Sequence, residues 1–151
     1  MAQPAVCFED FVIGQRFDAG SVTVDGDEVL AFATRFDPQP FHIDQQAAEK
    51  SIFGGLIASG WHTCSMMMRL MVDGYLRDSS SMGSPGIDDI RWLKPVRVGD
   101  VLRVSSTVLD IVPSTSRPDR GVVMTLWEAY NQKDELVATI KGRGLFLRRA
   151  Q

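Results

Sequence analysis

The stretch Asp37-Pro38-Gln39-Pro40-Phe41-His42-Ile43-Asp44 gathers a carboxylate, an amide and an imidazole, the groups that general acid–base work on a bound water requires. His42 and His62 are the two histidines of the chain, so any acid–base chemistry built on imidazole must use one of them. In an ideal helix Asp37 and His42 would lie about 140° apart, and in a strand their odd separation would put them on opposite faces. Pro38 and Pro40 forbid a continuing helix and a central strand, so an irregular, proline-braced turn is expected to bring the two together. Structural readings stand beside this one. An Asp before Pro also opens turns, and a lone His also satisfies a backbone carbonyl.

A second candidate is Ser59-Gly60, where an apolar helix is expected to begin. Glycine at a helix N-terminus leaves backbone N–H groups accessible to an anion or a polarised carbonyl, which is the chemistry of an oxyanion site. The alternative is that Gly54, Gly55 and Gly60 serve tight turns and close packing while Ser59 is a plain cap.

These residues need elements to position them. Up to about Arg77 the chain reads mostly helical. Thr23 or Asp25 can cap a helix through Val29, Phe32 and Ala33, and Asp44 can cap a short one through Ala47 and Ala48. From Ser59 to about Tyr75, Trp61, Cys64, the Met66-Met67-Met68 run, Leu70 and Met71 leave almost no polar face. A helix ~25 Å long and buried on most sides follows. Ile87–Leu93, Val101–Val112, Gly121–Tyr130 and Leu136–Leu147 alternate like strands, with turn signals between them. Three or four successive antiparallel strands after one apolar helix imply an α+β domain, the helix lying against one face of a curved sheet whose free edge can pair with a second copy.

Composition sets the outer bounds. A chain of 151 residues is one domain, with no linker or repeat. With 16 basic and 19 acidic residues the net charge is −3, and the cations are scattered, so no nucleic-acid footprint exists. Neither a membrane span nor a secretory signal is apparent, and Cys7 and Cys64 form no disulfide framework, so a reducing cytoplasm is the expected setting. No ligand spacing suggests a metal, and no Gly-rich turn suggests a nucleotide cofactor. His62 is expected to be a structural histidine bonded to the backbone, Cys64 a core hydrophobe, and Asp44 a cap. Arg91, Lys94 and Arg97 are expected on a solvated face, with contact to phosphates as the other possibility.

Three runs together, Phe36-Asp37-Pro38-Gln39-Pro40-Phe41-His42-Ile43-Asp44, Phe53-Gly54-Gly55-Leu56-Ile57-Ala58-Ser59-Gly60 and Ile90-Arg91-Trp92-Leu93-Lys94-Pro95-Val96-Arg97-Val98-Gly99-Asp100, resemble the MaoC-like dehydratase family, which includes (R)-specific enoyl-CoA hydratases. The resemblance covers nearly the whole chain in order and implies a hot-dog fold, a long central helix wrapped by a curved antiparallel sheet, over residues 1–151. It also implies a hydro-lyase of fatty acid metabolism. Asp37 and His42 would hold the water that adds to a trans-2-enoyl thioester or leaves an (R)-3-hydroxyacyl thioester, and the Gly60 amide would bind the thioester oxygen. Gln39, Ser59 and Ser65 are the expected substrate-binding residues. The expected partner is an acyl-CoA thioester, without cofactor or metal, on a homodimer or higher homo-oligomer. Two positions depart from the family pattern: Gln39 stands where its hydratases usually carry Asn, and Ser59 where many carry His. The longer amide of Gln39 keeps two other readings open, a hot-dog thioesterase and a non-catalytic acyl-binding module.

Overall fold

The computed structural model describes residues 2–150. After a short 3-10 turn at Phe8–Asp10, strand β1 (Arg16–Thr23) leads into helix α1 (Gly26–Phe36). Two short helices follow, α2 (Pro40–Ile43) and α3 (Gln45–Glu49), and then the long helix α4 (Gly60–Met71). That helix is prolonged by one wider turn over Val72–Leu76. Strands β2 (Gly86–Trp92), β3 (Val101–Pro113), β4 (Arg120–Tyr130) and β5 (Leu136–Leu147) complete the chain. The sheet is fully antiparallel in the order β1-β3-β4-β5-β2. A central helix against a five-stranded antiparallel sheet is the α+β hot-dog architecture expected from the sequence.

The capping expectations at Asp25 and Asp44 hold. Asp25 Oδ2 accepts the Glu28 N–H at 3.1 Å, and Asp44 Oδ1 accepts that of Ala47 at 3.1 Å. The helical reading of the first half misses β1. Its inward residues are Phe17, Ala19 and Val22, and the register shifts between Asp18 and Ser21, where Gly20 sits at φ +88°. That bulge breaks the two-residue period by which a strand is recognised.

The core joins Met66, Met67 and Met71 of α4 to Val29 of α1 and to Leu102, Val104, Ala129 and Val137 of the sheet. The helix is less enclosed than its composition suggests. Trp61, Ser65, Met68 and Arg69 form an exposed face, so a sheet on one side covers only part of an apolar helix. At the sheet margin, β2 pairs only with β5, and its outer edge is unpaired among the described residues.

Candidate active site

Asp37 closes α1. Its N–H donates to the Ala33 carbonyl at 2.8 Å, and Pro38 stops the helix there. The expected irregular turn is in fact partly helical. Pro40 takes the first position of α2, where the missing N–H costs nothing, and the Asp44 N–H closes the turn on the Pro40 carbonyl at 2.9 Å. This single helical turn carries His42 back toward Asp37, so His42 Nε2 lies 3.3 Å from Asp37 Oδ2.

His42 is 4% exposed, and its Nδ1 lies 2.8 Å from the Ile57 carbonyl oxygen. A carbonyl can only accept, so Nδ1 carries a hydrogen and donates it. Nε2 is therefore the ring atom left to exchange a proton, and it faces the carboxylate. A water seated beside the pair, rather than between atoms 3.3 Å apart, would meet an acceptor on either group when the ring is neutral.

Both oxygens of Asp37 are held. Gln39 Nε2 donates to Oδ1 at 2.7 Å, and Ser59 Oγ donates to Oδ2 at 2.7 Å. Burial pushes the carboxyl pKa up, but the hydrogen bonds from Gln39 and Ser59 and the field of His42 outweigh it. The net result is a carboxyl held below its usual range, ionised at neutral pH.

Ser59 is the N-cap residue of α4, yet its side chain makes no cap bond, because the hydroxyl is spent on Asp37. The first bond of the helix runs from the Thr63 N–H to the Ser59 carbonyl at 3.0 Å. The N–H groups of Gly60, Trp61 and His62 precede it and have no acceptor within the helix. They sit at the positive end of the helix dipole, where negative charge on a substrate oxygen is favoured. Trp92, at the end of β2, lies across Gly60 and donates from Nε1 to the Gly60 carbonyl at 2.9 Å. A Cβ on Gly60 would meet Trp92 Cε2 at 2.4 Å, so glycine is required for the indole to seat there.

Asp37, Gln39, His42, Gly60, Trp61 and Trp92 all border one cleft of about 490 Å³. Two residues expected to bind substrate lie elsewhere. Ser59 is fully buried and acts through Asp37, so direct substrate contact is replaced by a positioning bond. Ser65 lines a separate cavity of about 430 Å³, and its hydroxyl is returned to the Trp61 carbonyl at 2.8 Å. Sequence reasoning missed Trp61 and Trp92 as site residues. The signal available was the pairing of a glycine helix start with a large aromatic at a strand end, which only contact across 32 residues makes meaningful.

The remaining candidates resolve into structure. His62 is buried, as expected, but its partner is the Glu28 carboxylate at 2.8 Å rather than the backbone, and its ring stacks on Phe32. α1 thus supplies an anion where the backbone was anticipated. Burial pushes the Cys64 thiol pKa up, the direction opposite to an activated nucleophile. Arg91 pairs with Asp89, Lys94 with Glu135, and Arg97 with the Phe53 carbonyl. Among the described residues no group of three or more His, Cys, Asp or Glu side chains is placed to hold a metal ion, and no helix is long and apolar enough to cross a membrane.

Comparison with known proteins identifies relatives in sequence and in fold. The family model described as "MaoC like domain" matches residues 10–126. The chain is 35% identical to the uncharacterized protein YdeM of Bacillus subtilis over 127 residues, 83% of this chain and 88% of that one. It is 24% identical to the (R)-specific enoyl-CoA hydratase of Rhodospirillum rubrum over 111 residues, 70% of this chain and 72% of that one. The crystal structure of a MaoC-like dehydratase from Rhodospirillum rubrum superposes with a TM-score of 0.88 at 41% identity, covering 97% of this chain and all of that one.

Proposed function

Because the chain belongs to the family of MaoC-like domains, which includes hydratases and dehydratases, we propose that it adds water to a trans-2-enoyl thioester, or removes it from an (R)-3-hydroxyacyl thioester. The observation that carries this reading is the approach of Asp37 and His42 to 3.3 Å beside the open N–H groups of α4, within one cleft. The (R)-specific enoyl-CoA hydratase among the relatives supports the same class of substrate.

In the hydration direction, water is held beside the pair formed by Asp37 and His42 Nε2. The carboxylate takes one proton as the water oxygen attacks C3, and electron density moves from the double bond through C2 to the thioester oxygen. The N–H of Gly60 meets that oxygen, an interaction worth about 3–4 kcal/mol in comparable oxyanion sites. The proton is then returned to C2, His42 Nε2 being the ring atom able to relay it. The elements of one water are added across C2 and C3, and Asp37 ends ionised as it began.

The acyl group is carried by coenzyme A on this reading, and the functional unit is a homodimer. The unpaired outer edge of β2, with Ile87 and Trp92 exposed along it, supports pairing with a second copy. A stable monomer in sedimentation would remove that part of the proposal.

The deciding experiment incubates the protein with a panel of trans-2-enoyl-CoA esters and follows both enoyl absorbance and free thiol. Loss of enoyl absorbance without thiol is expected. Thiol release without hydration would make the protein a thioesterase, and saturable binding without turnover a binding module.

A further inference from the structure

Residues 57–60 run from the acid–base pair to the start of α4, and each is anchored from a different part of the fold. The Ile57 carbonyl accepts from His42 Nδ1 at 2.8 Å, and the Ala58 N–H donates to the Val96 carbonyl at 2.8 Å. The Ser59 hydroxyl is bonded to Asp37. Gly60 comes last and has no side chain with which to anchor. Its carbonyl instead accepts the indole N–H of Trp92 at 2.9 Å, from the end of β2 and 32 positions away.

The indole does more than close that bond. A Cβ on Gly60 would meet Cε2, Nε1 and Cδ2 of Trp92 at 2.4, 2.7 and 2.8 Å, so the ring occupies the place where a side chain would begin. Trp61 packs against the same ring edge to face, with centroids 5.3 Å apart at 78°. Glycine has the freest backbone of any residue, and here it carries the N–H assigned to the thioester oxygen. Trp92 restrains it both at the carbonyl and over the Cα, at the point where an oxyanion donor must be fixed before charge develops.

We propose that Trp92 is a positioning residue for the hydration step: acting through the Gly60 carbonyl, its indole N–H holds the Gly60 amide in the orientation that meets the thioester oxygen. The proposal rests on the acyl-thioester reading above. Asp37 and His42 are fixed by other partners, Gln39, Ser59 and the Ile57 carbonyl. Loss of the indole N–H should therefore weaken the charge-stabilising half of the site and spare the acid–base half. Charge on the thioester oxygen is greatest in the transition state, so the loss should fall on kcat rather than on KM. Deleting an oxyanion donor outright costs about 10²–10³-fold in kcat, and loosening one should cost about tenfold.

The test replaces Trp92 by benzothienylalanine, which keeps the bicyclic shape and puts sulfur in place of the indole N–H, and compares it with Trp92→Phe. The isostere decides the matter should Trp92→Phe fail to fold. With the four-carbon trans-2-enoyl-CoA ester, kcat should fall about tenfold while KM changes less than about threefold, and the acid limb of the pH profile should stay in place. Independently of turnover, the infrared carbonyl stretch of butanoyl-CoA labelled with carbon-13 at the thioester carbon should move to lower frequency on binding wild type, and move less on binding the variants. If no enoyl ester is hydrated but this carbonyl shift is present in wild type and shrinks in the isostere, the hydratase reading fails and the positioning role stands. If wild type hydrates the ester and the isostere matches it in kcat or in carbonyl frequency, the positioning role falls and the hydratase reading stands. A loss carried by KM alone overturns the role as well, as does a wild type that leaves the carbonyl frequency unmoved or does not bind butanoyl-CoA.

Discussion

Ser59 Oγ donates to Asp37 Oδ2 at 2.7 Å, joining the residue that precedes α4 to the one that follows α1 across 22 positions of sequence. This bond helps hold Asp37 ionised against its burial. Removing it by Ser59→Ala should let the Asp37 pKa rise. A carboxyl with a depressed folded pKa contributes stability above its unfolded value and loses it as pH falls through the folded one. The variant should therefore lose about 1 kcal/mol at neutral pH, and the acid limb of its kcat/KM profile should move to higher pH. An acid limb that stays in place would show that Ser59 does not set the charge of Asp37.

Asp37→Asn and His42→Ala should each lower kcat/KM by about 10²–10⁴-fold while the far-UV circular dichroism is unchanged. The two groups act on one water, so the double variant should be scarcely worse than the more damaging single one. Hydration that survives the double substitution would displace the site from this cleft.

Gly60→Ala should be costly because its new Cβ would lie 2.4 Å from the Trp92 ring. In a Trp92→Ala background the obstruction is gone, so the same substitution should cost little. A double-mutant cycle by thermal unfolding should show a coupling of about 1 kcal/mol or more between the two positions. Additive effects would mean that the glycine is required for some other reason.

Met67 is fully buried in the core whereas Met68 is 45% exposed, although the two adjoin in sequence. Met67→Ala should destabilise by about 2–5 kcal/mol, and Met68→Ala by well under half of that. Denaturant midpoints at constant slope would measure both.

His62→Ala should weaken folding by roughly 2–3 kcal/mol, because it removes a packed ring and strips Glu28 of its partner. The hydration step in the folded fraction should persist. A loss of kcat on the scale expected for His42→Ala, with the melting temperature intact, would instead give His62 a chemical role.

The helix starts at Asp25 and Asp44, the four later strands and the Asp37–His42 loop were legible because each is written in local spacing, by a cap, a two-residue alternation or a proline brace. β1 was not, since the bulge at Gly20 erases the alternation that would announce it. Ser59 and Ser65 were both expected to bind substrate. They part because Ser59, just before α4, is sealed against Asp37, whereas Ser65, within α4, faces the second cavity. His62 was read as structural from its apolar helix alone, but the identity of its partner depended on how α1 crosses α4.

Sequence by itself therefore determined the fold class, the family likeness and the residue types able to do acid–base chemistry, because periodicity, caps and a proline-bounded motif are properties of neighbours along the chain. Tertiary structure alone decided that Asp37 is held by Ser59, that Gly60 lies under Trp92, and that Trp61 borders two cavities. Those facts depend on distances across 22 and 32 residues, which no local pattern encodes and which exist only once burial of the shared core has set the helices against the sheet.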